Sequence, residues 1–247
     1  MPILPSKFTL FNEDCFVTMG RMLPNFVDMV FADLPYGITA RNKWDCLLDL
    51  PKLWNQLYRI CKPNAALCFT SVQPFTTTLI QSNLKDFKYE WIWVKSFKTG
   101  FLNAKRQPLR KHESISVFYR TQSLYNPQGV LSCDRQVARG SSESTGLNYG
   151  TANPIYQQTQ TNYPTSILEI PSEKGFHPTQ KPIALLEYLI RTYTNPGDLV
   201  FDPCMGSGTT GAACGNLQRR FIGCELDQEQ GYFLKAKERI EAAYNQH

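Results

Sequence analysis

Two short stretches hold the residues whose types and spacing suit chemistry. Asp33, Leu34, Pro35 and Tyr36 follow the apolar run Val30-Phe31-Ala32, so a strand fit for burial ends on a carboxylate, a stiff proline and an aromatic ring. Far along the chain, Asp202 closes the run Leu199-Val200-Phe201, and the glycine-rich stretch GSGTTG follows at 206–211. As a pattern that stretch satisfies a dinucleotide fingerprint, with Glu225 about where an acid would take ribose hydroxyls. Against a dinucleotide stands Asp202, because a pyrophosphate would bring negative charge to a carboxylate. No lysine follows the last glycine, which also disfavours a loop that cradles nucleotide phosphates. A phosphate-free, cationic ligand matches better. S-adenosylmethionine fits: its sulfonium and ammonium favour a nearby carboxylate, and the glycines let backbone approach. A tight strand-to-helix turn with no ligand is the bland alternative.

A methyl donor beside an acid and a tyrosine suits transfer to an exocyclic amino group whose lone pair is delocalised into a base ring. Asp33 would accept one amino hydrogen and the Leu34 carbonyl the other, directing the nitrogen lone pair at the methyl; such charge-assisted bonds are strong. Pro35 would stiffen the carbonyl's direction, since its φ is fixed. Tyr36 would stack on the base, worth about 1–3 kcal/mol, and Gly37 lets the chain turn away. A base inside a duplex is out of reach and must be swung out. The ordinary alternative is a Pro-Gly turn that closes a buried strand.

These residues need a scaffold, and the apolar pattern supplies one. Strands are expected at 8–14, 27–33, in AALCFTS, in EWIWVK and in ISVFYR. Helical spacing marks LLDLPKLWNQLYRIC, QPFTTTLIQSNL, the segment after HPTQKP, and YFLKAKERIEAAY near the end. Strand and helix alternate for most of the chain, which predicts a mainly parallel, doubly wound α/β sheet. In such a sheet ligands gather beyond the carboxyl ends of the strands, so Asp33 and Asp202 are expected to share one crevice. Periodicity fades from about 121 to 165, where the polar stretch QQTQTNYPTS offers no core material; a loop-rich insertion within one 247-residue catalytic domain is expected.

Net charge is +5, but its distribution is uneven: Lys95, Lys98, Lys105, Arg106, Arg110, Lys111 and Arg120 share a stretch whose only acid is Glu113, with Arg135 and Arg139 soon after. A solvated cationic loop is the plain reading; a phosphate-binding surface is the functional one. Eight cysteines sit singly, with no C-x-x-C pair and only three histidines, so no metal site is expected. No run reaches the roughly 18–20 apolar residues of a membrane span, and no secretory leader is visible, so a cytoplasmic protein without membrane contact is expected.

With those motifs in view, the sequence resembles the amino-methylating DNA methyltransferases, in which Asp-Pro-Pro-Tyr marks the catalytic strand and Asp-Pro-Phe-x-Gly-Ser-Gly the cofactor loop. The catalytic motif comes first here, the cofactor loop last, and HPTQKP just before it, which looks like the circularly permuted β group, mostly N6-adenine enzymes of restriction systems, phages and orphan genes. The resemblance runs from about 8 to 240. It implies a Rossmann-like, seven-stranded sheet with one antiparallel strand, S-adenosylmethionine as cofactor, double-stranded DNA as substrate, frequent dimers and, in restriction systems, a companion endonuclease. Carried onto this chain, it makes Asp33 to Tyr36 catalytic and Asp202, Pro203, Cys204, Met205, Gly206, Ser207, Gly208 and Thr209 the cofactor loop. Glu225 matches the ribose acid, Asp14 the acid that meets the cofactor adenine, with Cys15 offering its backbone, and Asp33 also borders the cofactor. His177, Thr179 and Lys181 match the segment that closes over the methionine end.

Two departures stand out. Leu34 replaces the first proline, which should keep the carbonyl but loosen its aim, and Cys204 replaces a common Phe, making one wall of the cofactor site smaller. In that frame Lys95, Lys98, Lys105, Arg106, Arg110 and Lys111 are expected to meet phosphates, and Arg135, Arg139 and their polar neighbours in 121–165 to read base edges. Rival readings are a cytosine-N4 enzyme of the same class, an enzyme acting on RNA or protein glutamine, and a catalytically silent DNA-binding protein of the same fold.

Overall fold

The computed structural model describes residue 3 and residues 7–36, 47–138, 155–173, 180–227 and 231–246. The chain divides into two compact units, Met1–Asn126 with Ser166–His247, and Pro127–Thr165. In the larger unit eight strands form one sheet: β1 (Phe8–Phe11), β2 (Val27–Ala32), β3 (Cys61–Ser71), β4 (Phe87–Thr99), β5 (Arg110–Phe118), β8 (Ile167–Glu169), β9 (Leu199–Asp202) and β10 (Arg220–Cys224). Their spatial order is β1-β10-β9-β2-β3-β5-β4-β8. Every neighbouring pair is parallel except the two that β5 makes, with β3 and with β4. The expected single antiparallel strand is therefore β5. The strand beyond the expected seven is β8, three residues that pair Ile92–Val94 at the edge of β4. The smaller unit contains an antiparallel ribbon of β6 (Leu131–Ala138) and β7 (Ile155–Thr161), where the sequence shows no apolar period.

Burial on both faces explains why β2 reads as a continuous apolar run rather than an alternating one. Val30 and Ala32 face one core, with α1 (Cys15–Arg21), α2 (Leu50–Ile60) and α3 (Phe75–Ser82); Met29 and Phe31 face the other, with α4 (Ile183–Tyr193), α5 (Thr209–Asn216) and α6 (Tyr232–Tyr244). Helix α2 shows how the pattern works. Asp49 caps it by accepting the Lys52 N–H at 3.0 Å, Pro51 sits in the first turn, and Leu53, Trp54, Leu57 and Ile60 form one buried stripe. Each such side chain contributes about 1.5–3 kcal/mol on burial, and Leu57→Ala would cost about 2–5 kcal/mol. The helix after β2 packs on one face and the helix after β9 on the other. The carboxyl ends of β2 and β9 therefore flank a topological switch point, the usual place for a crevice in an open α/β sheet.

Candidate active site

Strands β2 and β9 are direct neighbours, with Met29 opposite Val200 and Val30 opposite Phe201, so Asp33 and Asp202 leave the same edge of the sheet side by side. Asp33 is held by three side chains. Tyr36 and Thr70 hydroxyls donate to Oδ1 at 2.6 and 2.5 Å, and the Lys181 ammonium donates to Oδ2 at 2.5 Å. A carboxylate has about four lone-pair directions, so among the described residues these three donors leave one acceptor position, on Oδ2. Burial opposes ionisation of Asp33, but Lys181, aided by the Thr70 and Tyr36 hydroxyls, holds the carboxyl below its ordinary value. Burial and the Asp33 charge push the Tyr36 phenol well up, so it remains a donor. Its ring packs on Phe75, with centroids 5.2 Å apart.

Leu34 is buried in the core, so packing sets the direction of its backbone in place of the missing proline. Lys181 pairs with Asp33 and lies 3.5 Å from Glu113 of β5, which in turn pairs with Lys95 of β4 at 2.9 Å. Burial works against the Lys181 ammonium, but Asp33 and Glu113 outweigh it and raise its pKa. The Lys181 ammonium, expected beside the methionine end of the cofactor, reaches the Asp33 carboxylate. Lys95, expected at phosphates, stands in a largely buried ion pair with Glu113. Thr70 and Glu113 were not singled out from sequence as site residues. Nothing local marks Thr70; Glu113 carried a signal, as the sole acid in a basic stretch, because a buried cation requires a partner.

The glycine loop is built by its own hydrogen bonds. Asp202 turns inward, accepting from the Cys204 N–H at 3.0 Å and the Thr210 hydroxyl at 2.5 Å, so its charge braces the loop instead of standing free for a ligand. Burial raises the Asp202 carboxyl to about 7, and Glu225 and Asp33 push it the same way. Glu225 ends β10 and accepts the Gly206 N–H at 2.7 Å; burial raises it too. Gly206 has φ +49°, and open space lies where a side chain would stand. Gly208, at φ +71°, is pressed against Ala236 of α6. The Ser207 and Thr209 hydroxyls bond each other, and Thr209 takes a bond from Arg239 at 2.8 Å, so both are buried and offer a ligand only backbone. Pro203 and Met205 are buried beneath the loop. The Cys204 thiol, on the wall expected to be smaller, is raised by a hydrogen bond it donates to the Cys15 sulfur and then by burial. Asp14 is exposed and caps α1 through the Phe16 N–H at 2.7 Å. His177, Thr179 and Arg139 lie outside the described residues.

Lys98, Lys105, Arg106, Arg110 and Lys111 are exposed on the hairpin that joins β4 to β5. Arg135 belongs to the smaller unit, where its Nε donates to Gln158 of the partner strand at 2.8 Å.

A doubly wound sheet with a glycine loop after one central strand and Asp-Leu-Pro-Tyr after its neighbour defines a methyltransferase of the Rossmann-like class. More narrowly, the chain belongs to the N6/N4 DNA methylase family, which it matches over residues 27–236. It is 27% identical over 263 residues to the DNA adenine methyltransferase YhdJ of Escherichia coli (strain K12), across 97% of this chain and 86% of that protein. To the type II methyltransferase M2.DpnII of Streptococcus pneumoniae it is 29% identical over 262 residues, across 96% and 91%. The crystal structure of the M1.HpyAVI–SAM complex has a TM-score of 0.63 at 25% identity, covering 94% of this chain and 98% of that one. The cytosine-N4-specific PvuII DNA methyltransferase has a TM-score of 0.69 at 15% identity over 98% and 93%, a likeness of fold alone.

Proposed function

We propose that the protein is a site-specific DNA methyltransferase that moves a methyl group from S-adenosylmethionine to the exocyclic N6 of adenine, after the base is extruded from the duplex. One observation carries this reading: Asp33 keeps a single acceptor position open at the edge of the sheet where the glycine loop begins. The donor set fits the cofactor. Asp202 and Glu225 make the loop acidic, and both are raised by burial, so a sulfonium and an ammonium relieve what a pyrophosphate would aggravate. Glu225 and Asp14 would hold the ribose and adenine, and the backbone of 204–209, with Cys15, the rest; His177 and Thr179 complete the set by resemblance.

When bound, the cofactor supplies an electrophilic methyl group. The chain does the remainder by orientation. Asp33 Oδ2 accepts one amino hydrogen and the Leu34 carbonyl the other, which draws the nitrogen toward tetrahedral geometry. Tyr36, fixed by Phe75 and Asp33, offers its ring to the base. Lys181 keeps Asp33 ionised up to methyl transfer, and once the nitrogen is methylated the same carboxylate takes the amine's surplus proton and passes it to solvent. The cations of the β4–β5 hairpin hold phosphates, and the β6–β7 ribbon, of a width suited to a major groove, reads bases with Arg135 and its glutamines. The names of the type II relatives motivate a companion restriction endonuclease; a homodimer and a cytoplasmic location complete the proposal.

The test is direct. Protein is incubated with methylation-free DNA and labelled cofactor, and the labelled nucleoside is identified by mass spectrometry. N6-methyl-2′-deoxyadenosine is expected, and N4-methyl-2′-deoxycytidine would overturn the choice of base. Asp33→Ala should retain cofactor binding and lose turnover; undiminished turnover would refute the role of Asp33.

A further inference from the structure

The hairpin between β4 and β5 carries an apolar turn that is exposed among the described residues. Leu102 is fully exposed and Phe101 is 67% exposed. Apolar side chains exposed singly are ordinary, but these two are consecutive, in the turn beyond the last β4–β5 pair, Thr99 with Arg110, and Lys98, Lys105, Arg106 and Arg110 of the same hairpin are exposed. The turn is also preformed. Gly100 adopts φ +92°, which a side chain would resist, and a 3-10 turn over Phe101–Asn103 follows. Backbone bonds from Asn103 to Gly100, Ala104 to Phe101 and Arg106 to Asn103, at 2.8–3.1 Å, close it. A tip held by its own backbone presents its side chains at little further cost in ordering.

The root of the hairpin joins the site already described. Lys95 and Glu113 stand on its two strands, and Glu113 contacts Lys181, which holds Asp33. The tip therefore extends from the edge of the sheet at which the target amine must arrive. Resting on the DNA-methylation reading above, we propose that Phe101 and Leu102 form a wedge that enters the duplex beside the target nucleotide and occupies the stack the extruded base leaves. The chemistry favours a nucleic-acid duplex as occupant. Cations beside apolar residues match phosphates flanking a base stack, and apolar side chains inserted between base steps are an established way of unstacking DNA. The same chemistry suits an anionic membrane, but the root of this hairpin stands at Lys95 and Glu113, next to the Lys181–Asp33 pair, where a target nucleotide must arrive.

The experiment uses the full chain and the sequence it methylates. Two duplexes are compared, one fully paired and one with an abasic position opposite the target, where the cost of unpairing is already removed. For Phe101→Ala with Leu102→Ala, kcat/KM on the paired duplex should fall about tenfold or more, and on the abasic duplex less than about twofold. Leu102→Met should restore most of the paired-duplex rate, and Leu102→Lys should not, although it adds charge. With 2-aminopurine as the target base, the fluorescence rise on binding should be lost in the double alanine variant. Equal losses on the two duplexes, no loss on either, or rescue by lysine would overturn the wedge and leave methyl transfer standing. An unaltered protein that methylates neither duplex would overturn both.

Discussion

Lys181→Met removes the one cation among the described residues that touches the Asp33 carboxylate and retains most of the side chain's bulk. Asp33 would keep Tyr36 and Thr70 as donors but lose its counter-charge at 2.5 Å, and Glu113 would lose one of two lysines. Deleting one partner of a buried ion pair costs about 3–5 kcal/mol. The low end applies here, about 3 kcal/mol, because the Asp33 side chain is 26% exposed and keeps two hydroxyl donors. With a urea slope of about 2 kcal/mol per molar, the midpoint should fall by about 1–2 M. The pH dependence follows from the directions of the two shifts. Asp33, depressed in the fold, contributes stability above its ordinary value and loses it only as pH falls through the folded value. Lys181, raised in the fold, contributes below its ordinary value and loses it only as pH rises through the folded one. Between about pH 5 and 9 the contribution of the pair to wild-type stability is therefore flat. In the variant, burial of Asp33 is no longer opposed by a cation, so its carboxyl moves up. The rate deficit should widen as pH falls, because the acceptor protonates at a higher pH in the variant than in the wild type. Urea titrations and pH–rate profiles measure both; an unchanged midpoint, or superimposable profiles, would refute the reasoning.

Three further outcomes are expected. Gly208→Ala should lower stability by about 2 kcal/mol or more in thermal or urea melts, since the residue sits at φ +71° and the added carbon would stand 2.9 Å from the Ala236 Cβ. Asp202→Asn should gain stability relative to wild type as pH rises from the ordinary 3.8 through about 7, because a carboxyl raised by burial contributes most when protonated and loses that contribution on ionising; parallel pH-stability curves would contradict this. Tyr36→Phe should leave ring stacking intact and remove the hydroxyl bond to Asp33. It should cost less than about tenfold in kcat, whereas Tyr36→Ala, losing about 1–3 kcal/mol of stacking, should lose more, as read by single-turnover methylation.

Much of the scaffold was legible because apolar periodicity reports which face of an element is buried, and that is a local property. The run Val27–Ala32 could only be a strand covered on both sides, and the stripe from Leu53 to Ile60 only a helix lying on a sheet. Strand-end acids at 33 and 202, with alternation between them, also implied a shared crevice, since parallel strands place their carboxyl ends at one edge. Helix α1, seven residues long, and the polar β6–β7 ribbon left no such trace, the first being too short for a period and the second lacking an apolar face. Which partner each charge would find was decided in three dimensions alone. Lys181 reaches Asp33 across 148 residues of sequence, because α4 is docked under β4, with Trp91 donating to the Tyr193 hydroxyl at 2.6 Å. Asp202 faces its own loop because Thr210 begins the next helix within reach of it. A sequence shows where a charge must be satisfied, but the choice among acceptors depends on the lateral order of strands and the packing of helices, which no local window contains.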